Sequence, residues 1–169
     1  MTTMEWIGYG FGALAMLTGF LTLQIKDAKK MLLWYVALCA LFGLHYWCLG
    51  ATAGFVMNMV GAVRNLFYYF GNDYKFLQKK FVPIGFTVLV GVLGFISRES
   101  VYAYLMIAGL VINSFCLSFK NTQNIRKSIL VTSPMVLAYA ALSGSIFGVI
   151  YESIAILSAV LGIVRHKQK

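Results

Sequence analysis

The chain has 169 residues, of which 60% are hydrophobic and 11% charged, with a formal net charge of +9 and a mean hydropathy of +0.81. About a quarter of a soluble domain is charged, so this composition excludes an ordinary soluble fold and points to one domain lying almost wholly in a bilayer. The positive balance does not indicate a nucleic-acid partner, because the basic residues sit at breaks between apolar runs, where they act as topology determinants.

Seven apolar segments of roughly 17 to 21 residues follow in order, each near the length that crosses a bilayer. The first, at 5–25, has no Lys or Arg between Met1 and Trp6 and no small-residue cleavage site after it, so it reads as a span and not as a secretory signal. Lys26-Asp27-Ala28-Lys29-Lys30 separates it from the second, at 31–49, and Leu49-Gly50-Ala51 is the turn into the third, at 52–71. Asn72 through Lys80 leads to the fourth, at 81–97, with Pro83 in its first turn, where no amide donor is lost. The fifth, at 101–119, comes after Ser97-Arg98-Glu99-Ser100, and Lys120 through Lys127 precedes the sixth, at 127–143. Pro134 falls inside that sixth span, where it predicts a kink or gating bend. Ser143-Gly144-Ser145 opens the seventh, at 145–165. Cys39, Cys48 and Cys116 all lie in apolar stretches, as inert core thiols do.

Of the 14 basic residues, Lys26, Lys29, Lys30, Lys75, Lys79, Lys80, Lys120, Arg126, Lys127, Arg165, Lys167 and Lys169 fall on one side of the membrane. Arg98 alone is opposite and Arg64 is within span three, so the amino terminus is expected outside and the carboxyl terminus in the cytoplasm.

The first and last three spans resemble each other. LTLQIKDAKK (21–30) aligns with SFKNTQNIRK (118–127), pairing Gln24 with Asn121, and the same offset pairs Gly12 with Gly109. Tyr46…Leu49 aligns with Tyr139…Leu142, and Gly54…Asn58 with Gly148…Glu152. Three units follow: a first triple-helix bundle at 1–71, a linker with the fourth span at 72–100, and a second bundle at 101–169. An odd linker helix makes the two bundles parallel, and repeats of that kind hold their site near mid-bilayer at the repeat interface.

This layout, carried by Gly12, Leu23-Gln24, Lys29-Lys30, the turn at Gly50 and Asn58, resembles the SWEET and SemiSWEET transporters of the PQ-loop superfamily. The whole chain, with LTGF (17–20), QIKDAKK and the LHYWCLG run, is most similar to the YgjV-type bacterial inner-membrane protein family. The resemblance implies an all-α, multi-pass inner-membrane protein of seven helices in a 3+1+3 arrangement. It implies a facilitator or exporter that moves a small polar solute by alternating access between the two bundles, without a cofactor. It also implies hinge positions at Gln24 and Asn121, although Leu23 and Lys120 stand where those families keep proline. With only Pro83 and Pro134 in the chain, that proline-hinge gating scheme does not carry over. An aromatic pair before each site residue stacks on the solute in those families; here the positions hold Phe42 and His45 before Asn58, and Val136 and Tyr139 before Glu152.

Asn58 and Glu152 are the principal site candidates. An acid deep in an apolar helix is expensive and so points to a function. Facing each other, the two groups would hydrogen-bond a polyol, or the acid would hold a cation or proton; alternatively they bond each other and lock the bundle. Asn65 shares the face of Asn58 two turns (about 10 Å) further on. Arg64 is free to neutralise Glu152, bind an anionic group or reach toward the headgroups. Asn113 is a further pathway candidate. His45 is a pathway residue and not a metal ligand, because His166 is the only other histidine. No nucleophile–base pair, acid pair or phosphate loop marks an enzyme. The expected partners are lipid and a small polar solute; the chain carries both halves and can act as a monomer, and a homo-oligomer is compatible. The readings that compete are a vitamin-precursor facilitator of the nicotinamide-riboside type and a non-transporting scaffold or lipid-binding protein.

Overall fold

A computed structural model describes residues 2–25, 28–71, 81–98, 100–117 and 122–167, and those residues form seven α-helices and no strand. Helix α1 (Thr3–Gln24) starts at a capping box: the Glu5 amide donates to Thr2 Oγ1 at 3.3 Å and the Thr2 amide to Glu5 Oε2 at 2.8 Å. Next come α2 (Ala28–Cys48), α3 (Thr52–Gly71), α4 (Phe81–Ser97), α5 (Ala103–Leu117), α6 (Thr122–Leu142) and α7 (Ile146–Lys167). These helices match the expected spans closely, with two corrections: α2 begins at Ala28, inside the break read from Lys26 to Lys30, and α6 begins at Thr122, inside the stretch read as a loop from Lys120 to Lys127. Nothing in Thr122-Gln123-Asn124-Ile125-Arg126 forbids helix, and hydropathy alone cannot see a polar first turn. Pro134 sits in α6 without ending it.

The elbows between α2 and α3 and between α6 and α7 are built identically. Gly50 and Gly144 take φ of +73° and +71°, the left-handed conformation that favours glycine. The Gly50 amide donates to Trp47 O at 3.0 Å and the Ala51 amide to Tyr46 O at 2.9 Å; the Gly144 amide donates to Ala141 O at 3.2 Å and the Ser145 amide to Ala140 O at 2.8 Å. Each is a Schellman motif whose last residue is also the N-cap of the next helix. The matched bonds place His45 against Tyr139, Ala51 against Ser145 and Asn58 against Glu152. The sequence pairing of Tyr46 with Tyr139 is therefore one residue out of register, because His45 and Tyr46 stand side by side before the first elbow and Tyr139 can be matched to either.

Consecutive helices pack on one another, and α1 packs on α7 as α3 packs on α5. Exchange of α1, α2 and α3 with α5, α6 and α7 turns each of these two contacts into the other. The described helices thus form a ring of six with α4 set against α3 and α5.

The ring buries polar groups and exposes apolar ones. Thr22, His45, Arg64, Asn65, Ser114, Ser128, Thr132, Ser133 and Ser145 are buried, whereas Trp6, Ile96, Val101, Leu157 and many other large apolar residues are exposed. In water that exterior would be strongly unfavourable, and in lipid it is the expected one. By length and composition one described helix, Lys29–Cys48, is apolar enough to cross a membrane unaided, and four more, Phe81–Ser97, Ala103–Cys116, Lys127–Leu142 and Ile146–Leu161, are shorter. Seven apolar segments of roughly bilayer length were expected. Polar residues that serve the interior, such as Asn58, Arg64 and Asn65 on α3, dilute the apolar signal.

Candidate functional site

Two polar clusters lie inside the ring. One joins the elbows. His45, on the last turn of α2, is 0% exposed; its Nδ1 is 2.7 Å from Gly8 O of α1 and its Nε2 is 2.7 Å from Ser145 Oγ. Ser145 Oγ also accepts the Gly148 amide at 3.0 Å, capping α7, and is hydrogen-bonded to Tyr46. The donor count fixes the arrangement. A carbonyl only accepts, so Nδ1 carries the proton toward Gly8; Ser145 has one O–H, which goes to Nε2, and its two lone pairs take the Gly148 N–H and the Tyr46 O–H. The neutral Nδ1–H tautomer satisfies every member.

The reciprocal contact comes from α6. Tyr139 Oη accepts the Gly54 amide at 2.8 Å, in the first turn of α3, and the residue is 0% exposed. The rings of Tyr46 and Tyr139 are 5.6 Å apart. Glycine is needed at both helix starts: a Cβ on Gly54 would lie 2.5 Å from the Tyr46 ring, and one on Gly148 2.9 Å from Tyr46 Oη. Tyr9 with His45 (6.2 Å) and Tyr102 with Tyr139 (6.1 Å) repeat a further ring contact. Gly12 lies against His45 and Phe147, while Gly109 lies against Thr132 and Val136, so the two glycines do not meet equivalent partners.

The second cluster holds the charges. Glu152 on α7 is partly buried and hydrogen-bonded to Ser133 of α6, beside Pro134. Tyr35, Tyr46 and Tyr151 lie within electrostatic reach of it. Phe42 is buried, with its ring 5.4 Å from that of Tyr151. Asn58 is partly buried and donates to Gly54 O of its own helix at 2.9 Å. Each of the two principal candidates thus has a partner other than the other. On α3, Arg64 is 7% exposed, and its Nη1 donates to Ser114 Oγ of α5 at 2.7 Å, so the guanidinium points inward and not toward headgroups. Asn65 Nδ2 is 3.7 Å from Cys39 Sγ of α2. Tyr35 is within reach of Arg64 as well as Glu152, linking the acid to the base.

Asn113 is partly buried, one residue before the Ser114 that holds Arg64. Gln24 is the last residue of α1, and Asn121 lies outside the described residues. Sequence reading passed over Ser114, Ser133, Tyr35 and Tyr151, and took Tyr46 and Ser145 only as alignment and turn residues. A hydroxyl in an apolar helix is a faint signal, because it can bond the preceding turn of its own helix, as Ser153 does with Val149 O.

An all-helical chain with an apolar exterior, a polar interior and several buried charged groups is a multi-pass integral membrane protein. The model of Imp-YgjV, a family of bacterial inner membrane proteins, matches residues 6–169, and the chain belongs to that family. It is accordingly a protein of the bacterial inner membrane. Neither the curated proteins nor the solved structures include a match.

Proposed function

We propose that the chain is a facilitator or exporter of a small polar solute, working by rocking one triple-helix unit (α1–α3) against the other (α5–α7) in a SWEET-like manner, with the amino terminus outside. The observation that carries this reading is the interior itself: Glu152 and Arg64 both lie inside the ring, and each is bonded to a serine of a neighbouring helix and not to the other. Structural glue would be expected to pair an acid with a base or with Asn58, and isolated intramembrane charges are the mark of a pathway. The two helix-start contacts, one from each half, supply a pair of polar clasps that rocking would open and close.

Reconstitution into liposomes tests the reading. Wild type and Glu152→Gln are compared for uptake of a panel of labelled sugars, polyols, nucleosides and organic acids. Flux of one solute that falls in Glu152→Gln supports transport; absence of flux for the whole panel, with a changed melting temperature in the variant, supports a scaffold instead.

A further inference from the structure

Arg64 and Tyr68 are four residues apart on α3, so their side chains share one face of the helix. Tyr68 also lies within electrostatic reach of the guanidinium. Arg64 places Nη1 on Ser114, but its Nε is buried with no hydrogen-bond partner, and Tyr68 Oη is in the same condition. The titratable groups facing Arg64 from the neighbouring helix and its own are Cys39, Tyr35 and Tyr68, none of them a carboxylate. Glu152, the interior acid, is bonded to Ser133.

This arrangement is costly as it stands. A cation removed from water without an opposite charge is disfavoured even after relaxation, and each idle buried donor adds to that cost. One acceptor bearing negative charge would relieve all three deficits at once. We infer that Arg64 Nε–H and Tyr68 Oη–H form a binding site for an oxyanion, a carboxylate or phosphate group carried by the solute, with Ser114 fixing the guanidinium. The single guanidinium balances one negative charge, which favours a monocarboxylate over a doubly charged phosphate. The inference deepens the transport reading and rests on it for the identity of the carrier molecule.

The test is thermal unfolding of the full chain in lipid-free detergent, titrated with sodium formate, acetate, lactate, pyruvate and inorganic phosphate against chloride at equal ionic strength. At least one oxyanion should stabilise wild type in a saturable way. Arg64→Gln should weaken the apparent affinity by about tenfold or more, equivalent to ~1.4 kcal/mol. Tyr68→Phe, which removes one unpartnered oxygen and leaves the ring in place, should weaken it several-fold with the fold intact, so the test stands even where Arg64→Gln does not fold. Equal responses in wild type and Tyr68→Phe, or no oxyanion response beyond that of chloride, would overturn the site. Stabilisation by phosphatidylglycerol alone would overturn the solute assignment and give the site to a lipid headgroup. The two readings fail separately: flux of a neutral solute with no oxyanion response sinks this inference and leaves transport, whereas oxyanion binding without flux of any solute does the reverse.

Discussion

His45 and Ser145 are 100 positions apart in the chain and 2.7 Å apart in the fold. Through this one contact the end of the second helix holds the start of the seventh, and the Tyr139 contact with Gly54 returns the favour to the third.

Ser145→Ala removes a helix cap and strands His45 Nε2 and Tyr46 Oη inside the bundle. A cap is worth about 1 kcal/mol and each of the two stranded groups about 1–3 kcal/mol, so a loss of roughly 3–7 kcal/mol is expected. Ser143 is two residues away, and its buried hydroxyl has no partner; Ser143→Ala should be neutral or stabilising. Unfolding in detergent with graded denaturant reads both, and equal losses for the two serines would contradict the donor count.

Tyr139→Phe should cost at least about 1 kcal/mol, because the Gly54 amide loses its acceptor while the ring contacts with Tyr46 and Tyr102 persist. Gly148→Ala should be worse, since its methyl would meet Tyr46 Oη and Ser145 Oγ, which are both committed. A ranking of the two variants by melting temperature decides the matter.

Gly50→Ala and Gly144→Ala should be destabilising by similar amounts, roughly 1–2 kcal/mol each, as both residues have nearly the same positive φ. Asn at either position should recover part of the loss. A large difference between the two alanine variants would mean that the elbows are not equivalent.

Glu152→Gln should leave stability within about 1 kcal/mol of wild type, because an amide oxygen still accepts from Ser133. Ser133→Ala removes that donor and should be the more damaging of the pair. The reverse order in a melting experiment would show that the charge of Glu152, and not its hydrogen bond, holds the bundle.

Much of the helical layout was legible because apolar runs separated by short polar or glycine-bearing breaks mark where helices begin and end. The turns at Gly50 and Gly144 could be read from spacing alone. Registers finer than one residue could not be read: Tyr46 and Tyr139 look equivalent by residue type, and only the backbone bonds of the elbows show that His45 is the counterpart of Tyr139. Partner choice was the other blind spot. Nothing in the sequence tells Ser114, which holds Arg64, from Asn113 beside it, because the distinction is one of helix face and of what the facing helix brings there. His45 was read as lining a pathway, and both of its nitrogens are engaged by Gly8 and Ser145, residues too small to announce themselves.

The elbows also bear on how the chain is made. Each elbow draws its Schellman hydrogen bonds from residues of the helices it joins, so α2–α3 and α6–α7 can leave the translocon as preformed hairpins. The contacts of His45 with Ser145 and of Gly54 with Tyr139 join residues 100 and 85 positions apart, so they form only once the second half has been made. Biogenesis therefore separates into an early insertion of hairpins and a late docking of halves. A nascent chain stalled before residue 139 holds its first hairpin inserted but unclasped, with the Gly54 amide waiting for an oxygen that has not yet been translated.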